Sequence, residues 1–192
     1  MPATRNKFSA CICRLLPSRL LRRFVRHQKG SAAVEFGIVA LPFLGLTFAI
    51  LETALVFFAG QTLETAVQDS ARKIMTGAAQ TAGWSKDDFK TEVCTHIHGL
   101  FDCVTGIYVD VKKYDNFAAI TNAPPITNGQ LDTTNLNYTP GGAGDIEVVT
   151  LYYQWPIYVS LLGNNLSTLN SNMRLLVATA VFRNEPFLAG SP

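Results

Sequence analysis

Residues 29–45 read KGSAAVEFGIVALPFLG, the junction between a basic, polar leader and a long apolar run. A carboxylate, Glu35, stands just inside the apolar side, five residues after Gly30. Behind this junction, Phe36 to Leu51 is 16 residues without a charge; Glu52 interrupts, and Thr53 to Gly60 continue apolar. A bilayer core about 30 Å thick needs roughly 20 helical residues. The glycines and Pro42 would weaken a soluble helix, but a membrane span tolerates them because neighbouring groups satisfy the freed backbone. The reading is a transmembrane helix over residues 31–60. A cleaved secretory signal is disfavoured, since the charged region and the apolar run are both too long and no small-x-small site follows. A buried soluble helix is disfavoured because cores rarely hold such a run.

Charge divides the chain in the same place. The 192 residues carry 16 Lys and Arg against 14 Asp and Glu. Eight of the basic residues, Arg5, Lys7, Arg14, Arg19, Arg22, Arg23, Arg26 and Lys29, precede Gly30, where there is no acid. The remainder holds eight bases against all fourteen acids, a net of −6. Six Lys or Arg fall in residues 12–31 and two, Arg72 and Lys73, in residues 61–80. The positive-inside rule therefore places residues 1–30 in the cytoplasm and residues 61–192 outside. Nucleic-acid binding by the leader is not favoured, because it has two phenylalanines and no zinc or helix-turn-helix signature. Cys11 and Cys13 would face a reducing compartment as free thiols; Cys94 and Cys103 lie where disulfides persist.

Helical periodicity continues beyond the span. Leu63, Ala66, Val67, Ala71, Ile74, Met75 and Ala78 form an apolar stripe against Gln61, Glu64, Gln68, Asp69, Arg72 and Lys73. With no strong breaker before Gly83, one helix from about Ser31 to about Thr81 is expected. A second begins at Ser85, where Asp88 three residues on comes close to a capping box, and ends near Gly99. Cys94 and Cys103 would be about 13 Å apart along an unbroken helix, whereas a disulfide needs Cα atoms about 4.4–6.8 Å apart. Bonding therefore requires a turn near Gly99. Strands are expected around Ile107–Val111, over 145–155 (DIEVVTLYYQW) and over 174–183 (RLLVATAVFR), the last as a central strand; residues 115–144 read as a long irregular loop. The fold class is α+β: a long amino-terminal helix whose amphipathic half covers a small antiparallel sheet.

Candidate chemistry is sparse. Cys94, His96, His98 and Cys103 contain zinc-ligand residue types, but the usual paired spacings are missing, and a structural disulfide is the stronger reading. Asp87 and Asp88 are adjacent and do not converge on a helix; they suit its amino-terminal turn. Tyr152, Tyr153 and Trp155 read as a sheet face rather than a binding cage. No phosphate loop, nucleophile elbow or catalytic constellation is present in the sequence, so neither enzyme activity, a cofactor nor a metal is expected. Glu35 is the exception. A capping box with Ser31 would need its acid at Val34. If instead the chain is cut after Gly30, the new amine of Ser31 stands one turn from Glu35, at i and i+4. That amine, or one from a neighbouring subunit, supplies the cation that a carboxylate entering lipid requires.

The basic leader, Gly30, Glu35 and the apolar helix together resemble a type IV prepilin. More narrowly, residues 30–74, GSAAVEFGIVALPFLGLTFAILETALVFFAGQTLETAVQDSARKI, resemble the TadE-like proteins of the tight-adherence (Tad, or Flp) pilus machinery. The shared features are G-x-x-x-V-E-F, the late acid Glu52, and the ending at Ala71 and Arg72; residues 178–187, ATAVFRNEPF, are similar as well. The resemblance implies a pilin-like fold and a minor pilin or pseudopilin, with Gly30 and Ser31 flanking the bond cut by a prepilin peptidase and Glu35 serving assembly. It implies other Tad pilins, inner-membrane Tad assembly proteins and membrane lipid as partners, and a role in attachment and biofilm formation. Ser31 departs from the Phe with which mature type IV pilins often begin. The alternative is an unprocessed single-pass scaffold of the same apparatus with a periplasmic interaction domain.

Overall fold

An apolar run followed by an apolar stripe at helical spacing carries the chain from Ser31 to Met75 as one 45-residue helix, α1, in the computed structural model. The structure describes residues 30–97, 99, 101–121, 123–158 and 166–187; the basic leader with Cys11 and Cys13, and His98, lie outside them. Pro42 sits inside α1, where its missing N–H leaves one helical hydrogen bond unmade. By length and composition, α1 is able to cross a membrane, and none of its most apolar stretch is buried. The chain divides into two units, residues 1–46 and 47–192.

In the second unit, α1 ends earlier than its periodicity suggested. Gly77 takes a left-handed conformation, φ 79°, and donates its N–H to the Ile74 carbonyl at 3.0 Å. The ring of Phe187 occupies the place where a Cβ would stand. Only glycine meets both demands without strain, so the chain turns here rather than at Gly83. A short helix α2 (Ala78–Thr81) follows. The turn rephases the stripe: Ala79 is buried where Ala78 was expected.

Ser85 caps α3 (Lys86–His96) with the expected capping box, its side chain accepting from the Asp88 N–H while Asp88 accepts from the Ser85 backbone. The Asp88 carboxylate accepts from the Ser85 hydroxyl at 2.6 Å and from the Ser85 N–H at 2.9 Å, and these bonds hold it below its ordinary pKa. The chain then turns through Gly99, φ 77°, into α4 (Cys103–Gly106). Cys94 and Cys103 are bonded, with Cα atoms 5.7 Å apart.

Three antiparallel strands follow: β1 (Ile107–Tyr114), β4 (Ile146–Pro156) and β5 (Met173–Arg183). Between the first two lie a 3-10 turn at Phe117–Ala119 and a minimal hairpin of β2 (Ile126–Thr127) and β3 (Gln130–Leu131). The order is β1-β4-β5, so β4 is central and β5, expected in the middle, is an edge. Burial accords with this order. On the outer sheet face Leu136, from the loop after β1, and Leu169, from the segment before β5, pack with Tyr152 of β4 and Leu175 of β5 as a small second core. The outer face of β5 keeps Val177 and Val181 exposed.

The other sheet face carries the main core. Val109 and Val111 of β1, Val149 and Leu151 of β4, and Leu176, Ala178 and Ala180 of β5 meet Leu63, Ala66, Val67, Ala71 and Ile74 of α1 and Phe89 and Val93 of α3. Alanines on both layers let helix and sheet approach closely. Phe101 stacks edge-on against Tyr153 at 4.7 Å and Trp155 at 5.8 Å, tying the disulfide loop to the sheet.

Candidate functional site

The apolar, exposed length of α1 is the most prominent functional surface. Gly30 is exposed immediately before α1, and Ser31 is its first residue. Glu35 lies past the first turn, which holds no acid, and is exposed among Val34, Phe36, Ile38 and Val39. The spacing of Ser31 and Glu35 on one continuous helix places them one turn apart. From Val34 to Ile50, large apolar side chains are exposed around the helix rather than along a stripe. Such a helix needs lipid or other helices around it.

Glu52 behaves differently from its neighbours. Leu51 and Leu55 are about half exposed, yet Glu52 is 7% exposed. Its Oε1 accepts the backbone N–H of Tyr158, just after β4, at 2.5 Å. The acid that interrupts the apolar run therefore grips the sheet layer instead of facing outwards.

The cysteines expected to bond do so, which takes both out of any zinc set. His96 instead faces Glu92 at 3.5 Å and Asp69 at 3.9 Å, and Glu92 also meets Lys73 at 3.7 Å, so an exposed charge network joins α3 to α1. Among the described residues no group of three or more His, Cys, Asp or Glu is placed to hold a metal. Tyr153 and Trp155 face the main core and Tyr152 the second core, on opposite sides of β4.

A buried polar cluster escaped the sequence reading. Glu147, wholly buried on the helix-facing side of β4, accepts from the Gly141 N–H at 2.6 Å and from Asn184 Nδ2 at 2.5 Å. Asn184 also donates to the Gly142 carbonyl at 2.9 Å, and Gln80 Nε2 to the Gly141 carbonyl at 3.0 Å. Burial raises the Glu147 carboxyl above its ordinary pKa, against the hydrogen bonds that lower it. Burial, with Glu147 nearby, also pushes the Tyr138 hydroxyl up to about 12. The available signal was phase: Glu147 is the one acid at the odd positions of β4, otherwise Val149, Leu151, Tyr153 and Trp155. Its partners come from distant loops, which local pattern does not reveal. At the sheet's rim Asp145 pairs with Lys113 at 2.9 Å; that bond lowers the carboxyl and raises the amine.

Residues 30–72 match the TadE family model, described as TadE-like protein. This stretch is similar to the TadE-like proteins. It begins at Gly30, one residue before α1 starts, and ends within the last turn of the helix. The matched stretch thus contains Glu35, the exposed apolar length, Glu52 and most of the stripe that covers the sheet. No curated protein and no solved structure matches the chain.

Proposed function

We propose that this chain is a TadE-like minor pilin or pseudopilin that acts in Tad (Flp) pilus biogenesis, and through it in surface attachment and biofilm formation. The observation that carries the reading is a coincidence of boundaries: the TadE-like match begins at Gly30 and the helix begins at Ser31. Cleavage between them by a prepilin peptidase leaves an amine at the first residue of the helix, one turn from Glu35. The exposed apolar length of α1 suits both stages of such a life, lipid before assembly and other pilin helices after it. In this reading residues 1–30 are a cytoplasmic leader, residues 31–60 a single inner-membrane span, and residues 61–192 a periplasmic or extracellular pilin-like α+β domain. The α3–α4 disulfide suits that compartment. Partners are other Tad pilins and the inner-membrane assembly proteins; the role is structural rather than catalytic.

The test is the amino terminus of protein extracted from membranes of its native host with active prepilin peptidase, read by intact mass. A chain beginning at Ser31 is expected. A chain retaining Met1 or Pro2 would replace this reading with that of an unprocessed single-pass scaffold.

A further inference from the structure

The exposed face of α1 changes character abruptly while its buried face does not. From Leu51 to Gly60 the exposed residues are Leu51, Ala54, Leu55, Phe57 and Phe58, all apolar. From Gln61 to Thr76 they are Gln61, Thr65, Gln68, Asp69, Arg72, Lys73 and Thr76, all polar. The side packed on the folded unit runs on through both stretches, as Val56, Ala59, Leu63, Ala66, Val67, Ala71 and Ile74. A change confined to the outward face marks a change in what surrounds the molecule.

We propose that Leu55, Phe57 and Phe58, with Tyr158, form a lipid-contacting rim of the folded unit, seated in the headgroup zone of the bilayer that α1 crosses. The proposal rests on the membrane-crossing reading and adds that part of the folded unit sits in the interface. Helix length supports it. At about 1.5 Å per residue, Ser31 to Gly60 is about 44 Å, close to the thickness of a bilayer with both its headgroup layers. The polar outward face therefore starts where water does. Tyr158 comes from elsewhere in the chain: its N–H is bonded to Glu52, about one turn before Leu55 on α1, and the residue is 83% exposed. An outward tyrosine at that depth has the amphipathic ring that membrane interfaces favour. The same contact explains Glu52. At the edge of the hydrocarbon a carboxylate is costly, and this one is covered by the folded unit and given a donor. A second copy of the chain is the competing occupant, but an interface between copies gives no reason for the switch to fall at bilayer thickness.

The test uses the full chain in vesicles of three parts phosphatidylcholine to one part phosphatidylglycerol, with Cys11 and Cys13 replaced by Ser. Nitroxide labels go on Leu46→Cys, Tyr158→Cys and Gln61→Cys in separate samples, all at exposed positions or positions near the surface. Collision rates with oxygen, which partitions into lipid, and with a water-soluble nickel chelate report depth. The expected order of oxygen-to-nickel ratio is 46 above 158 above 61, with position 158 several-fold above 61. A ratio at 158 equal to that at 61, with 46 still in lipid, overturns the rim and leaves the span standing. Equal ratios at all three positions overturn the span and the rim together. Spin–spin broadening at 158 with protection from both reagents assigns the rim to a second copy and also overturns the proposal.

Discussion

Replacing both Cys94 and Cys103 by Ser gives a loss of stability whose size follows from chain geometry. The bond joins residues nine apart, closing a loop of about ten residues, which restricts the unfolded chain by about 9 cal/mol/K, or about 2–3 kcal/mol at 25 °C. The native state has other means of holding the same loop. Gly99 makes the turn, Asp102 caps α4 through the Thr105 N–H, and Phe101 is held between Tyr153 and Trp155. The variant should therefore keep its fold and lose the unfolded-state term almost alone. The assay is urea unfolding of the full chain in detergent micelles, followed by tryptophan fluorescence; Trp155 is in the main core and Trp84 packs against it. A loss of about 2–3 kcal/mol corresponds to a fall in melting temperature of roughly 5–10 °C for a chain of this size. Dithiothreitol should lower the parent protein by the same amount and leave the double variant unchanged. A difference below about 1 kcal/mol would refute the reasoning, because the loop-closure relation predicts more than twice that.

Glu147→Gln is expected to raise the urea midpoint at pH 7.5 and to change it little below about pH 4, near the unfolded carboxyl pKa. The sign follows from burial, which raises the folded pKa. Such a group favours folding fully below its unfolded pKa and loses that contribution as pH rises through the folded value. Gln keeps an acceptor for Gly141 and Asn184, so a variant less stable at pH 7.5 would count against the account. Gly77→Ala should cost at least about 1–2 kcal/mol for the left-handed backbone, and more because the new methyl enters the Phe187 ring; an unchanged melting temperature would show that the turn relaxes freely. Glu35→Val is expected to leave membrane insertion intact and to impair pilus assembly in the native host. Normal piliation in that variant would remove Glu35 from the assembly step.

Local signals found local structure. The stripe from Leu63 to Ile74, the Ser85–Asp88 capping box and the turn needed by Cys94 and Cys103 all rest on neighbours in sequence, and each is in the structure. What the sequence left hidden depends on contacts between distant residues. Gly77 ends α1 because Phe187, far along the chain, fills the space beside it. The apolar run of β5 suited a central strand, yet β4 is central because both β1 and β5 pair with it, a register between residues far apart in sequence. A helix long and apolar enough to cross a membrane was legible as a length of apolar residues. That Glu52 belongs to the folded unit was not, since its donor is the backbone of Tyr158.

The way α1 ends has a mechanical consequence. After β5 the chain returns to the helix, and the Glu185 N–H donates to the Met75 carbonyl at 2.9 Å while Phe187 packs at the Gly77 turn. Near its other end of contact, Glu52 is bonded to Tyr158 beyond β4. The helix is thus fastened at both ends of the stretch that lies on the sheet, with the apolar stripe between. Traction on its amino-terminal part, as extraction from a bilayer would apply, loads these two fastenings and the whole stripe in shear. They must yield together rather than one after another, so the folded unit travels with the helix as a single load.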